Sequence, residues 1–169
     1  EISAVKNDEA MPFPLACDDQ GRLTDKALSV ILDKLEACDA YVLGPGLGRS
    51  QELTSLVCSL VAEGHKPLVL DADGLFAISG NMEILKKASN PVILTPHEGE
   101  FRRLGGRLTG DRISDARNFA AAHECVLVLK GHRTICAYPD GEVYITTTGN
   151  PGMAKGGSGD VLAGIIGAL

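Results

Sequence analysis

The chain has 169 residues and a formal net charge of -6, from 16 Lys plus Arg against 22 Asp plus Glu. That length suits one domain with a sizeable core, and the acidic balance gives no electrostatic footprint for nucleic acid or an anionic membrane. Hydrophobic residues at 44% exclude a disordered chain, and aromatics at 4% with no Trp disfavour an aromatic-stacking binder. No apolar run reaches the ~18 residues of a membrane span.

The first twenty or so residues carry no clear periodic element, and residues 1–6 lack the basic and apolar regions of a signal peptide. Leu28, Ile31, Leu32 and Leu35 at helical spacing predict a helix over 25–38, with Thr24 or Asp25 as N-cap. The apolar run 41–43 predicts a strand leading into Gly44-Pro-Gly-Leu-Gly48. Leu53, Leu56, Val57 and Leu60 mark a helix over 51–63. A second strand, 67–70, ends in Asp71-Ala-Asp73, and a short helical piece covers 84–88. A third strand, 91–94, ends in Thr95-Pro-His-Glu98, where the spacing is that of a capping box with Thr95 at N-cap, Pro96 at N1 and Glu98 at N3. A helix over 113–123 precedes a strand over 125–129. The segments 134–138 and 143–148 flank Pro139-Asp-Gly141 as a hairpin. Residues 161–169 read as a helix that stops without a cap, so the chain is expected to be an excerpt of a longer domain, inactive alone.

Strands alternating with helices predict an α/β fold with a largely parallel sheet. The continuous apolar strands predict a sheet covered on both faces. Residues 1–169 read as a single domain. Of the five cysteines, Cys58, Cys125 and Cys136 lie in apolar segments, and none has the spacing of a zinc site. Reduced, mostly buried thiols in a cytoplasmic protein are the expectation.

Glycine is the outlier: 20 of 169 residues, with seven between positions 149 and 167. In Gly149-Asn-Pro-Gly-Met-Ala-Lys-Gly-Gly-Ser-Gly-Asp160, the glycines Gly156, Gly157 and Gly159 let backbone approach a ligand closely. The helix that follows aims free N–H groups at it, an arrangement suited to phosphate. Asp160 at that helix end can take a proton from an attacking hydroxyl; the plainer reading is an N-cap, which needs none of those glycines. No P-loop GK[ST] occurs, and Gly44-Pro-Gly-Leu-Gly48 is a broken dinucleotide fingerprint. The other polar motifs fall where α/β sheets bind ligands, at the carboxyl ends of strands. His97 is a ligand contact or a solvent-exposed helix start. Glu98 has a capping role, and Glu100 is freer for water or metal. Asp71 and Asp73 are Mg²⁺-related or caps. Lys130 could neutralise phosphate and Thr134 could hydrogen-bond a nucleotide, against a tight turn at Gly131.

Residues 150–164 closely resemble the signature of the ADP/ATP-dependent NAD(P)H-hydrate dehydratases of the ribokinase-like superfamily. Gly44-Pro-Gly-Leu-Gly48, Asp71-Ala-Asp-Gly-Leu75, Thr95-Pro-His-Glu-Gly-Glu100 and Lys130-Gly-His-Arg-Thr134 match in the same order. The resemblance implies a ribokinase-like three-layer sandwich with a mostly parallel sheet, incomplete in this chain. It implies a metabolite-repair lyase that restores NAD(P)H from its hydrates, NADHX and NADPHX, at the expense of ADP or ATP with Mg²⁺. By resemblance Asp160 is the catalytic base and contacts the hydrate, as do Gly46 and His97. Lys130, Gly131, His132, Arg133 and Thr134 line the nucleotide with Gly156, Gly157, Ser158 and Gly159. Related kinases carry Asn-x-x-Glu near Mg²⁺; His97 and Glu100 hold that spacing, which puts Glu100 on the metal through water. An NAD(P)H-hydrate epimerase, fused or separate, is the expected partner, with a homo-oligomeric state and no nucleic-acid or membrane partner. A vitamin or sugar kinase of the same fold is the main alternative, followed by a non-catalytic nucleotide sensor and a nicotinamide dehydrogenase.

Overall fold

The computed structural model describes residues 10–169, so the expectations for residues 1–9 lie outside it. From residue 10 to α1 the chain forms turns and one isolated antiparallel bridge, Cys17 with Leu23. Six strands then form one sheet in chain order: β1 (Tyr41–Leu43), β2 (Leu68–Leu70), β3 (Val92–Leu94), β4 (Val126–Leu129), β5 (Ile135–Ala137) and β6 (Val143–Ile145). The first four are parallel, with Tyr41 opposite Leu68, Leu68 opposite Val92 and Ile93 opposite Val126. β5 and β6 are antiparallel, because short turns, not helical crossovers, lead into them.

The helices are α1 (Ala27–Leu35), α2 (Gln51–Glu63), α3 (Ala72–Ile78), α4 (Glu98–Arg103), α5 (Arg112–His123) and α6 (Ser158–Ala168), with 3-10 turns at Met82–Lys87 and Pro151–Met153. The apolar stripe of α2 is buried as its spacing predicts: Leu53, Leu56, Val57 and Leu60. Val57 joins the main core with Leu68, Leu70, Leu94, Leu127 and Leu129 from the strands and Phe101, Ala116 and Phe119 from α4 and α5. Each buried Leu or Phe stabilises this layer by about 1.5–3 kcal/mol. A second cluster seats α1 on α2 through Ala27, Leu53, Leu56 and Leu60. α6 contacts β1 and β2, close enough that a Cβ on Gly167 would come within 2.8 Å of Val42 Cγ2. The result is three layers, with the second face of the sheet less fully covered than its apolar strands suggest: Val42 stays 38% exposed.

Three local expectations are corrected. α1 begins with Lys26 at N-cap and no side-chain cap; backbone carbonyls of Thr24 and Asp25 take the first N–H groups instead. A helix, α3, follows Asp71, where the cap reading pointed to one without a span, but the Asp71 side chain makes no cap bond. The capping box at the end of β3 exists two residues later than its spacing suggested. His97 is the N-cap and Glu100 is N3. Thr95 remains tied to β2, its N–H and hydroxyl both donating to the Leu70 carbonyl at 3.1 and 3.2 Å. The Pro96 carbonyl accepts from Lys130 N at 2.8 Å, so the sheet ladder outlasts the apolar run and delays the helix.

All five cysteines are free. Burial pushes the Cys125 thiol up to about 12 and raises those of Cys58 and Cys136, whereas Cys17 is exposed. No described helix is long and apolar enough to cross a membrane.

Candidate functional site

The carboxyl ends of β2 and β4 hold opposite charges. Lys130 Nζ donates to Asp71 Oδ1 at 2.8 Å across the end of β3, with side-chain exposures of 22% and 3%. Asp71 sits at the N-cap of α3 in the extended conformation a cap requires, yet its side chain makes no cap bond. Its backbone carbonyl accepts from Gly74 N instead. Ala72, the next residue, is left-handed at φ 48, a conformation costing about 1 kcal/mol or more outside glycine. The local backbone is thus bent so that Asp71 faces Lys130 rather than its own helix. The backbone of Gly44 presses on the Asp71 carbonyl so closely that any Cβ would overlap it.

The first turn of α6 lies beside this pair. A Cβ on Gly159 would stand 3.5 Å from Lys130 Nζ and 3.6 Å from Asp71 Oδ2. The N-cap of α6 is Gly157, at φ 85, with no side-chain cap. The N-cap reading of Asp160 is therefore corrected: Asp160 is at N3, exposed, and its side chain makes no hydrogen bond or ion pair among the described residues. Ser158 Oγ donates to the Lys155 carbonyl at 2.8 Å, not to the helix. Around Gly156 and Gly157 the space is open: an added Cβ would meet nothing within 4 Å. The first turn of α6 thus brings backbone N–H groups of Gly157 and Gly159, for which the described residues supply no acceptor, close to the Lys130–Asp71 pair, with the unbonded Asp160 on the same turn; such groups can hold an anion and accept a proton.

His97 stands next to Lys130 along the β3–β4 ladder. Its Nδ1 accepts from Gly99 N and Glu100 N at 2.9 and 3.3 Å, which leaves Nε2 to carry the proton. A Cβ on Gly99 would fall 2.9 Å from the ring, so glycine there lets the imidazole fold over the helix start. Glu100 is committed as well: Oε2 accepts from His97 N at 2.9 Å. Its expected freedom for metal is reduced to one carboxylate oxygen, and no three His, Cys, Asp or Glu among the described residues form a metal cluster. Gly46 is exposed, at φ 69, with nothing within 4 Å of a Cβ. In the 130–134 turn, Gly131, His132 and Arg133 are exposed, Arg133 is left-handed at φ 58, and Thr134 Oγ1 donates to the Gly131 carbonyl at 3.3 Å. Asp73 ties the other turn, accepting from Gly48 N at 3.0 Å and Arg49 Nε at 2.8 Å.

Sequence reasoning missed the Asp71–Lys130 pair, although both residues end strands; only the sheet order says that two such ends face each other. It also passed over Arg112, which reaches from α5 to the His132 carbonyl and had no signal beyond a helix start.

An α/β sandwich with polar groups gathered at the strand ends and a glycine-rich loop opening its last helix is the architecture of ribokinase-like domains. The same fold occurs in an Enterococcus faecalis ribokinase-like protein, 32% identical, TM-score 0.71, over 82% of this chain and 49% of that one. Residues 4–169 match the model of the NAD(P)H-hydrate dehydratases, and the chain belongs to that family. A Bacillus subtilis ADP/ATP-dependent NAD(P)H-hydrate dehydratase, co-crystallised with ATP/Mg²⁺ and soaked with CoA, is 38% identical with TM-score 0.67 over 76% of this chain and 47% of its own. The bifunctional NAD(P)H-hydrate repair enzyme Nnr of Moorella thermoacetica is 43% identical over 99% of this chain and 32% of its own length. The ADP-dependent (S)-NAD(P)H-hydrate dehydratase of Neisseria meningitidis is 38% identical, and this chain spans 59% of it.

Proposed function

We propose that the chain carries the catalytic stretch of a nucleotide-dependent NAD(P)H-hydrate dehydratase, a single-domain lyase that repairs NADHX and NADPHX. The observation that carries this reading is the uncapped first turn of α6, seated beside Lys130 and followed by an unbonded Asp160. The named relatives support ADP or ATP as the phosphoryl source. The backbone N–H groups of Gly157 and Gly159 hold the transferring phosphoryl group, the Ser158 N–H being taken by the Lys155 carbonyl, and Lys130, already paired with Asp71, adds a further N–H donor. Asp160 takes the proton of the hydrate hydroxyl as its oxygen attacks the terminal phosphorus of the nucleotide, and the P–O bond to the rest of the nucleotide breaks, AMP (from ADP) or ADP (from ATP) leaving with the electron pair. The phosphate then leaves with the C–O electron pair, a neighbouring carbon loses a proton, and the ring double bond is restored. His97 Nε2–H and the open backbone at Gly46 face the hydrate, and the 130–134 turn takes the nucleotide. Mg²⁺, which draws most of its shell from phosphate and water, would meet Glu100 through water and offset phosphate charge. The bifunctional relatives make an NAD(P)H-hydrate epimerase the fitting partner. Incubation of the full-length protein that carries this chain with NADHX, ADP or ATP, and Mg²⁺ should restore the NADH absorbance; a stable phosphorylated alcohol instead would turn the reading to a small-molecule kinase.

A further inference from the structure

Arg112 is the first residue of α5 and has no part in the reading above. Its guanidinium reaches between the two halves of the site. Nη1 donates to the His132 carbonyl at 3.0 Å. Nε lies 3.4 Å from Glu98 Oε1. Nη2 packs on Gly131, where an added Cβ would come within 2.8 Å of it. Glu98 directly follows His97, and His132 is the middle of the 130–134 turn. One side chain therefore touches the start of α4 and the centre of the turn. The backbone joins the same two segments, through Lys130 N on the Pro96 carbonyl at 2.8 Å.

Packing alone does not explain a guanidinium here. The side chain is 26% exposed, but Nε and Nη2 are shielded from solvent and make no hydrogen bond. Idle buried donors carry a desolvation cost, and a packed apolar residue of similar volume avoids it. An apolar residue could not hold the His132 carbonyl, however, and that carbonyl adjoins Arg133, whose left-handed backbone needs support. We infer that Arg112 is a positioning residue that clamps the 130–134 turn to the start of α4, fixing the turn for nucleotide without touching it. The inference rests on the turn being the nucleotide site.

The test is ADP binding to the full chain by titration calorimetry, with amide hydrogen exchange read across the molecule. Arg112→Met should weaken ADP about tenfold, the scale of one charge-assisted hydrogen bond. It should speed exchange at residues 131–134 and leave the β2 amides unchanged. Arg112→Lys keeps the charge without the fork and should recover only part of the affinity. Glu98→Gln should weaken ADP about threefold, and the double variant should fall short of the product of the two. Faster exchange everywhere with unchanged affinity of the folded protein would mean a merely structural role and overturn the inference. Should Arg112→Met not fold, the smaller losses expected of Arg112→Lys and Glu98→Gln, with faster exchange confined to residues 131–134, carry the test. If the wild-type chain binds no ADP, the functional reading fails and takes the inference with it. If it binds ADP and the variants match it, the inference alone falls.

Discussion

Gly44, in the turn 44–48, and Gly156 with Gly157, in the turn 156–159, are glycines for opposite reasons. Gly44 is buried, at φ 135, with its backbone against the Asp71 carbonyl and Gly74 N. Its missing side chain makes room for protein. Gly156 and Gly157 are exposed, with nothing near a Cβ. Their missing side chains leave room for something else. The acidic residues sort the same way. Asp73 is spent on Gly48 and Arg49 of the first turn, whereas Asp160 of the second is bonded to no described residue. Glycine content alone does not separate scaffold from site; what a Cβ would touch does.

Paired substitutions can break this contrast. The largest effect belongs to Asp160→Asn, which should lower the rate of NADH recovery about 10³-fold while melting within a degree or two of wild type. A large loss of stability would show that the carboxylate holds the fold. Gly44→Ala comes next, since backbone rather than a flexible side chain blocks the new methyl. A loss of about 3 kcal/mol or more in urea denaturation is expected. Gly156→Ala should change stability by less than about 0.5 kcal/mol and weaken ADP roughly tenfold by crowding the loop face. If it destabilises instead, Gly156 is scaffold like Gly44. Asp73→Ala should cost about 1 kcal/mol through its two exposed-side bonds and leave the ADP affinity unmoved in calorimetry.

Much of the fold is legible in the residues. The stripe Leu53, Leu56, Val57, Leu60 names a helix whose bounds the structure keeps at Gln51–Glu63, and the run Tyr-Val-Leu gives β1. These elements are set by periodicity and burial, both local properties of sequence. Legibility fails at strand ends. Thr95 looks like an N-cap because Thr, Pro and Glu stand at cap spacing, but Leu70, on another strand, claims its polar groups. Asp71 looks like a cap or a metal ligand, and Lys130, 59 positions away, claims it. Glu100 looks free, and the N–H of His97 claims it.

The sequence by itself determined the layered α/β order, the family signature from position 150 onward, and the location of polar motifs at strand ends. Hydrophobic period and glycine spacing act within a few residues, so one dimension suffices to read them. Only the tertiary structure decided which of those polar groups remain uncommitted. A buried carboxylate or ammonium must find a partner, and the sheet order, by setting β2 and β4 on either side of β3, supplies partners from distant positions. That pairing commits Asp71 to Lys130, as the 48–49 turn commits Asp73 and a local capping box commits one oxygen of Glu100, whereas the Asp160 carboxylate on the open first turn of α6 is bonded to no described residue.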